Sequence, residues 1–267
     1  MVIVATRACP TLAAVTYARV EIDGRPATSD RLAVAALVNY GHYSTMQIRG
    51  RAVRGLDLHL ARLRSATQEL FDADLDPDRV RAHLRHCLGD DHPDATGRIT
   101  VYDDGADAPA VLVAIREPDE PSTRPARLRS VDYLRPVAHL KHVGSFAQIY
   151  YGIQAERDGY DDALLIDSGG SIAETTIANI AFGYDGEVVW PDAPMLAGTT
   201  MQLLEPRLAS RRRQVRLMEL PIFDAAFLTN SRGVTPVGQI DNVTIPVDDR
   251  LMRVVVTAYE SVPWDPI

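Results

Sequence analysis

Residues 163–186 read Ala-Leu-Leu-Ile-Asp-Ser-Gly-Gly-Ser-Ile-Ala-Glu-Thr-Thr-Ile-Ala-Asn-Ile-Ala-Phe-Gly-Tyr-Asp-Gly, and this stretch decides the organisation of the chain. Ala163 to Asp167 is a short apolar run stopped by Ser168-Gly169-Gly170, the pattern of a strand ended by a tight turn. Two further strand-like runs follow and lead to Asp185-Gly186. That pair is a strong hairpin signal, because a two-residue hairpin turn needs positive φ at both central positions. The second half of the chain is therefore rich in short strands, and Glu174 and Asn179 ride on them.

Working outward, a helix is expected from about Ser145 to Asp158, stopped by Gly159. Before it lies a strand near Leu128 to Tyr133. Residues 117–126 hold three prolines among polar residues and are the best linker in the chain. Upstream, Val15 to Glu21 and Tyr43 to Ile48 read as strands. Leu56, Leu60, Leu63 and Leu70 fall at helical spacing over Leu56 to Phe71. A second helix starts after Asp76-Pro77, an N-cap with proline in the first turn, and carries Val80, Leu84 and Leu88 on one face. Strands are expected at Gly97 to Tyr102 and Ala110 to Ile115. Downstream, a helix is expected from about Thr199 to Ala209, then more strands and a helix after Pro246. Arg211-Arg212-Arg213 reads as a solvated loop between the Thr199 helix and the next strand. The fold class is α+β, with two domains, residues 1–120 and 121–267.

The 267 residues are 46% apolar and 24% charged, as in an ordinary globular protein. A net charge of −8 and a pI near 5.4 give no support to nucleic-acid or anionic-membrane binding. Two cysteines, Cys9 and Cys87, make neither a disulfide framework nor a zinc site, which suits a reducing cytoplasm. Met1 to Val20 lacks the order of a signal peptide, and no apolar run approaches the roughly 20 residues of a membrane span.

Lys141 is the only lysine. Of 28 basic residues, the other 27 are arginine. Arginine replaces lysine on most solvated surfaces, but not where chemistry needs an amine that can lose its proton and attack a carbonyl. Lys141 is thus a candidate Schiff-base former. Four segments stand around that idea. His59-Leu-Ala-Arg62-Leu63 places His59 and Arg62 on one helical face. Leu140-Lys141-His142 precedes a helix. Ser171 to Ile180 carries Glu174 and Asn179. Leu196-Ala-Gly-Thr-Thr200 opens a helix, with exposed N–H groups and two hydroxyls that suit an anion.

In this order the four segments resemble the class IV aminotransferases, the fold-type-IV pyridoxal-phosphate enzymes, which include branched-chain and D-amino-acid aminotransferases and aminodeoxychorismate lyase. The resemblance runs from about Asn39 to about Val237. It implies a small N-terminal α/β domain, a larger C-terminal α/β domain on a mixed sheet or barrel, and pyridoxal 5′-phosphate as cofactor. It implies that Lys141 is the catalytic Schiff-base lysine, that Arg62 meets the cofactor phosphate, and that Glu174 contacts the pyridine nitrogen. A Gly-x-Thr turn binds the phosphate in the family, matching Gly198-Thr199-Thr200. A further phosphate turn before a Pro-Val pair matches Thr229-Asn230-Ser231 and Pro236-Val237. A homodimer is implied as well.

The chain departs from the family pattern in places. Met201 stands where an arginine commonly follows the Gly-x-Thr turn. Near Val101-Tyr102-Asp103 several relatives carry an arginine for a substrate carboxylate, and this chain offers Tyr102 and Asp103. Phe146 takes the place of an aromatic that follows the lysine. Tyr43, Thr45 and Gln47 on the strand before the arginine helix are candidate substrate contacts, together with Tyr102. The expected activity is transfer of an amino group between an amine or amino acid and an oxo acid. The alternatives are a lyase like aminodeoxychorismate lyase and a cofactor-free, non-catalytic descendant. The pairs His83/His86 and His139/His142 lack further ligands for a metal. No Gly-x-Gly-x-x-Gly, Walker loop or Gly-x-Ser-x-Gly elbow is present.

Overall fold

The computed structural model describes residues 16–267. Cys9, the Met1–Val15 stretch and the first residue of the expected first strand lie outside them. The chain begins with strands β1 (Arg19–Ile22) and β2 (Arg25–Pro26), helix α1 (Ser29–Val38), then β3 (Gly41–Ile48) and β4 (Ala52–Arg54). Helices α2 (Leu56–Phe71) and α3 (Pro77–Leu88) precede β5 (Ala95–Tyr102) and β6 (Ala110–Arg116). There follow β7 (Ala126–Asp132), α4 (Phe146–Arg157), β8 (Asp162–Ile166), β9 (Ile172–Thr175), β10 (Asn179–Tyr184) and β11 (Glu187–Pro191). The remainder is α5 (Thr199–Leu204), β12 (Ser210–Arg213), β13 (Ala225–Asn230), β14 (Gly233–Ile240), β15 (Val243–Thr244), α6 (Asp249–Glu260) and β16 (Trp264–Pro266).

Five strands form an antiparallel sheet in the order β2-β1-β6-β5-β3. Side chains alternate along each strand, and residues paired across strands share a face. One face carries Met46, Ile48, Ile99, Val101, Val111, Val113 and Ile115, all buried against Leu56, Leu60, Leu63, Val80, Leu84 and Leu88 of α2 and α3. Burying each of those leucines contributes about 1.5–3 kcal/mol. The opposite face carries Tyr43, Thr45, Arg98 and Thr100. Its far end, at Tyr102, Ala110 and Ile22, is covered by Val34 and Ala35 of α1. Its near end stays open towards the second sheet, and that opening becomes the functional cavity.

In the second sheet β10, β13, β14, β7, β8 and β9 pair in turn, and β9 pairs back with β10. The circuit closes, so these six strands expose no free edge. The β14–β7 and β7–β8 contacts are parallel. A parallel pair needs a crossover, and α4 supplies it between β7 and β8. The Asp185-Gly186 turn joins β10 to β11 with φ of 50° and 78°, as the hairpin signal requires. The C-terminal strand β16 returns to pair with β4, and Asp265 accepts from the Leu56 N–H at 3.0 Å, capping α2.

Two expectations are corrected, and one helix was not expected. The helix from Thr199 stops at Leu204 and gives way to a 3-10 turn at Glu205–Arg207, because Pro206 cannot continue the α-helical bonding. Arg211-Arg212-Arg213 is not a loop but lies in β12, parallel to β11, with Glu187, Glu205 and Glu219 as ionic partners. Helix α1 was not anticipated: its continuous apolar run has no helical period, and Leu37 is left 84% exposed.

Candidate active site

The sequence spacing Glu-x-x-x-x-Asn becomes a register in the fold. Glu174 ends near the β9–β10 turn and lies directly across from Asn179, and Asn179 in turn lies across from Thr229 on β13. The three side chains form one polar row across the barrel wall and line a cavity of about 310 Å³. Two of them hold the loop before α5. The Leu196 N–H donates to Glu174 Oε2 at 3.2 Å, and Asn179 Nδ2 donates to the Leu196 carbonyl at 2.7 Å. Gly198 completes the cradle. A Cβ there would sit 2.2 Å from Asn179 Oδ1, so any side chain would displace that amide.

Glu174 has a partner the sequence did not reveal. Arg135 Nε donates to Glu174 Oε1 at 2.8 Å, its Nη1 donates to the Leu140 carbonyl at 3.0 Å, and its Nη2 donates to the Ala138 carbonyl. Both residues are buried. Burial pushes the Glu174 carboxyl above its ordinary value, while Arg135, the Leu196 N–H and Lys141 pull it back. The same Arg135 contacts fix the 138–140 backbone immediately before the lysine.

Lys141 is positioned through the main chain. The Tyr43 N–H donates to the Lys141 carbonyl at 2.8 Å, the Val143 N–H donates to the Gly41 carbonyl at 2.9 Å, and His42 and His142 form an isolated bridge. The lysine segment is thereby stitched to the start of β3, where the two sheets meet. Its Nζ stands in the cavity wall, 4.8 Å from the centroid of the Tyr43 ring. Burial lowers the Lys141 pKa, aided by Arg62 and Arg135 and opposed by Tyr43 and Glu174.

Arg62 and His59 reach the same cavity from α2. Arg62 Nη2 donates to Ser44 Oγ at 2.6 Å, and Ser44 Oγ is 2.7 Å from His59 Nδ1. Burial drives Arg62 down to about 10, which leaves it charged at neutral pH. Burial beside that cation holds the His59 pKa well below its ordinary value, so the ring is neutral. Four buried polar atoms of the lining have no partner: three donors, Arg62 Nε, Thr199 Oγ1 and Thr229 Oγ1, and one acceptor, Gln148 Oε1. Buried donors left unpaired cost free energy, so three around one cavity are the signature of a site built for an oxygen-rich anion. Because α5 has only six residues, this grip rests on hydroxyls and a guanidinium rather than on a long helix dipole.

The remaining candidates divide. Tyr43, Thr45 and Asn230 line the cavity. Thr200 donates its hydroxyl to the Asn230 carbonyl at 2.6 Å, tying the two turns together rather than facing the space. Gln47 is committed elsewhere: its amide meets Thr96 Oγ1 at 3.0 Å and accepts the Asp119 N–H at 3.0 Å. The placement of Tyr102 corrects its expected role, because it lies under α1 and donates to the Arg31 carbonyl at 3.2 Å. Phe146 is 80% exposed and stacks on Tyr150. His142 does line the cavity. Sequence reasoning missed Arg98, Arg116, Asp119 and Gln148, which also line it. Arg98 was findable, since it alternates with Thr100 on an expected strand and pairs with Thr45. Arg116 and Asp119 form an ion pair that no local motif announces.

The profile of the family described as Amino-transferase class IV matches residues 41–240. The "Probable branched-chain-amino-acid aminotransferase" of Synechocystis sp. is 28% identical over 120 residues, 40% of this chain and 39% of that relative's length. Among the solved structures that share the fold, a fold IV-transaminase from Curtobacterium pusillum superposes with a TM-score of 0.76 at 22% identity, covering 85% of this chain and 88% of that one. The PLP-bound form of a hypothetical aminotransferase from Mycobacterium tuberculosis gives 0.75 at 17% identity, covering 86% and 90%.

Proposed function

The chain belongs to the amino-transferase class IV family, and on that premise we propose that it is a pyridoxal-phosphate-dependent aminotransferase that moves an amino group between an amine or amino acid and an oxo acid. The observation that carries the reading is the trio of unpaired buried atoms, Arg62 Nε, Thr199 Oγ1 and Thr229 Oγ1, in the wall that also holds the sole lysine and Glu174. A phosphate would satisfy all three, with Asn230 beside them. Glu174, ionised, would meet the protonated ring nitrogen with lone pairs that Arg135 and Leu196 leave free.

Bound pyridoxal 5′-phosphate supplies an aldehyde carbon for amine exchange and a protonated ring that draws electrons from the substrate carbon. The chain does the rest. Lys141 must be neutral to attack a carbonyl carbon, and its burial between Arg62 and Arg135 favours the free amine. Once displaced, that amine stays in the cavity wall, where it can hold and move a proton. Arg98 projects into the cavity from β5 and suits the carboxylate of the acid substrate, the group for which residues 101–103 offer no cation. A cytoplasmic homodimer belongs to the same reading. Its support is the buried free thiol of Cys87 and the exposed apolar side chains Leu37, Val38, Tyr40, Phe146 and Tyr150. Among the described residues no helix is long and apolar enough to cross a membrane.

Adding pyridoxal phosphate to the purified protein should give a near-ultraviolet to visible absorption band, absent in Lys141→Ala. A flat spectrum would overturn the reading in favour of a cofactor-free binding protein. Amine donors should then convert the bound cofactor to its pyridoxamine form. No conversion with any donor, together with pyruvate release from aminodeoxychorismate, would replace transferase by lyase.

A further inference from the structure

One phenol in the cavity has both Arg98 and Lys141 over its ring. Tyr43 projects from β3, registered to Lys141 by the 2.8 Å main-chain bond between its N–H and the lysine carbonyl. The Lys141 ammonium lies 4.8 Å from the ring centroid. The Arg98 guanidinium covers the ring at 3.8 Å from the same centroid. Arg98 is itself steadied by a 3.3 Å bond from its Nε to Thr100 Oγ1. Nothing in anion binding or ring-nitrogen recognition requires a hydroxyl at this place. A phenylalanine would pack as well against both cations.

We propose that Tyr43 is a further catalytic residue, the proton partner that takes a proton from the Lys141 ammonium and later returns it. In that step one Nζ–H bond of Lys141 breaks and one Oη–H bond of Tyr43 forms. Ammonium and phenolate become amine and phenol, so the charge of the pair stays at zero and no proton passes to water. The amine is then free to attack, and the phenol holds the proton until the amine needs it again. The inference rests on Lys141 being the reacting amine.

The electrostatics agree with the geometry. Burial would raise the Tyr43 pKa, but Lys141, Arg98 and Arg135 together bring it below the ordinary tyrosine value. Burial lowers Lys141, against the pull of Tyr43. Both proton affinities fall from ordinary values of about 10 and about 10.4, and a proton passes in either direction at little cost where two such values lie close together.

Because Lys141 is the only lysine, every ε-amine measurement on this chain reports on the pair. The experiment uses full-length, cofactor-free protein and Tyr43→Phe, which keeps the ring beneath Arg98 and removes only the hydroxyl. Competitive labelling with acetic anhydride across pH, quantified on the peptide bearing Lys141, gives the amine's titration midpoint. With the anionic partner gone, that midpoint should fall by about one pH unit; an unchanged midpoint overturns the proposal. An ultraviolet difference titration, wild type minus variant, should show one tyrosinate forming below the ordinary value of about 10. A step at or above that value overturns it too. In the loaded enzyme the variant should keep the cofactor's spectrum and lose about 100-fold in turnover, and full turnover counts against Tyr43. Failure to take up cofactor strikes the functional reading alone, since both titrations proceed without it.

Discussion

The two walls of the cavity are held by opposite means. On the barrel side Glu174, Arg135 and Asn179 are saturated: Glu174 takes bonds from Arg135 and Leu196, Arg135 spends its remaining donors on two backbone carbonyls, and Asn179 holds Leu196. On the side of the five-stranded sheet Tyr43, Thr45 and Arg98 face the space, and around it the donors proposed to grip an anion, Arg62 Nε, Thr199 Oγ1 and Thr229 Oγ1, have no partner. A saturated wall is rigid and fixes where a ring must lie. An unsaturated one is free to take whatever substrate its side chains match. The difference predicts that mutations in the first wall act on stability, and mutations in the second on binding.

The largest effect should come from parting the buried pair. Arg135→Met leaves Glu174 buried without its cation and should cost about 3–5 kcal/mol of folding free energy. Urea unfolding measures this. Replacing both, with Arg135→Met and Glu174→Leu, should recover much of that loss, because no buried charge is then stranded. A single variant as stable as the wild type would break the contrast at its strongest point.

Next come the unpaired hydroxyls. Thr199→Val and Thr229→Val remove groups that have no partner in the protein alone, so stability should hold or rise slightly. Each should nevertheless weaken binding of pyridoxal phosphate by about 1.5–3 kcal/mol, the worth of a hydrogen bond to a charged group. Equilibrium dialysis against the cofactor reads the change as about tenfold to a hundredfold in Kd. If stability dropped while the Kd stayed, these hydroxyls would be structural, as Glu174 and Asn179 are.

Arg98→Met tests the open wall. Loss of a charge-assisted bond to a carboxylate should raise KM for the oxo acid about tenfold, with the cofactor Kd unmoved. Its effect separates from that of Tyr43→Phe, which acts on turnover. An unchanged KM for every acid tried would move the carboxylate site to Arg116 or Arg232, the other cations of the lining.

The same contrast explains what the chain alone could reveal. The barrel wall was legible because its residues sit at fixed spacings set by a hairpin: Glu174 and Asn179 are five apart since they face each other across one turn. Lys141 stood out by composition. Helices α2 and α3 were legible from apolar periodicity and from the Asp76-Pro77 cap. Arg135 was not, because its meaning lies in a contact 39 residues away. The carboxylate site was sought at residues 101–103, where a family pattern suggested it. The fold places Arg98 in the cavity instead, one alternation from Thr100 on the same face, and Arg98 is the residue proposed for that role. Thr200, Gln47 and Tyr102 had the right chemistry and the right strands or turns, but their polar groups are spent on Asn230, Thr96 and Arg31.

Tyr102 gives the smallest and most discriminating test. It lies on the same strand and the same sheet face as Arg98, two alternations further along, yet α1 covers it. Its hydroxyl makes one neutral bond, to the Arg31 carbonyl at 3.2 Å. Tyr102→Phe should therefore cost about 0.5–1.5 kcal/mol in urea unfolding, with KM, turnover and cofactor Kd all at wild-type values. A kinetic change in this variant would mean that α1 lifts away in solution, and that the open wall extends along the whole sheet face rather than ending at Thr100.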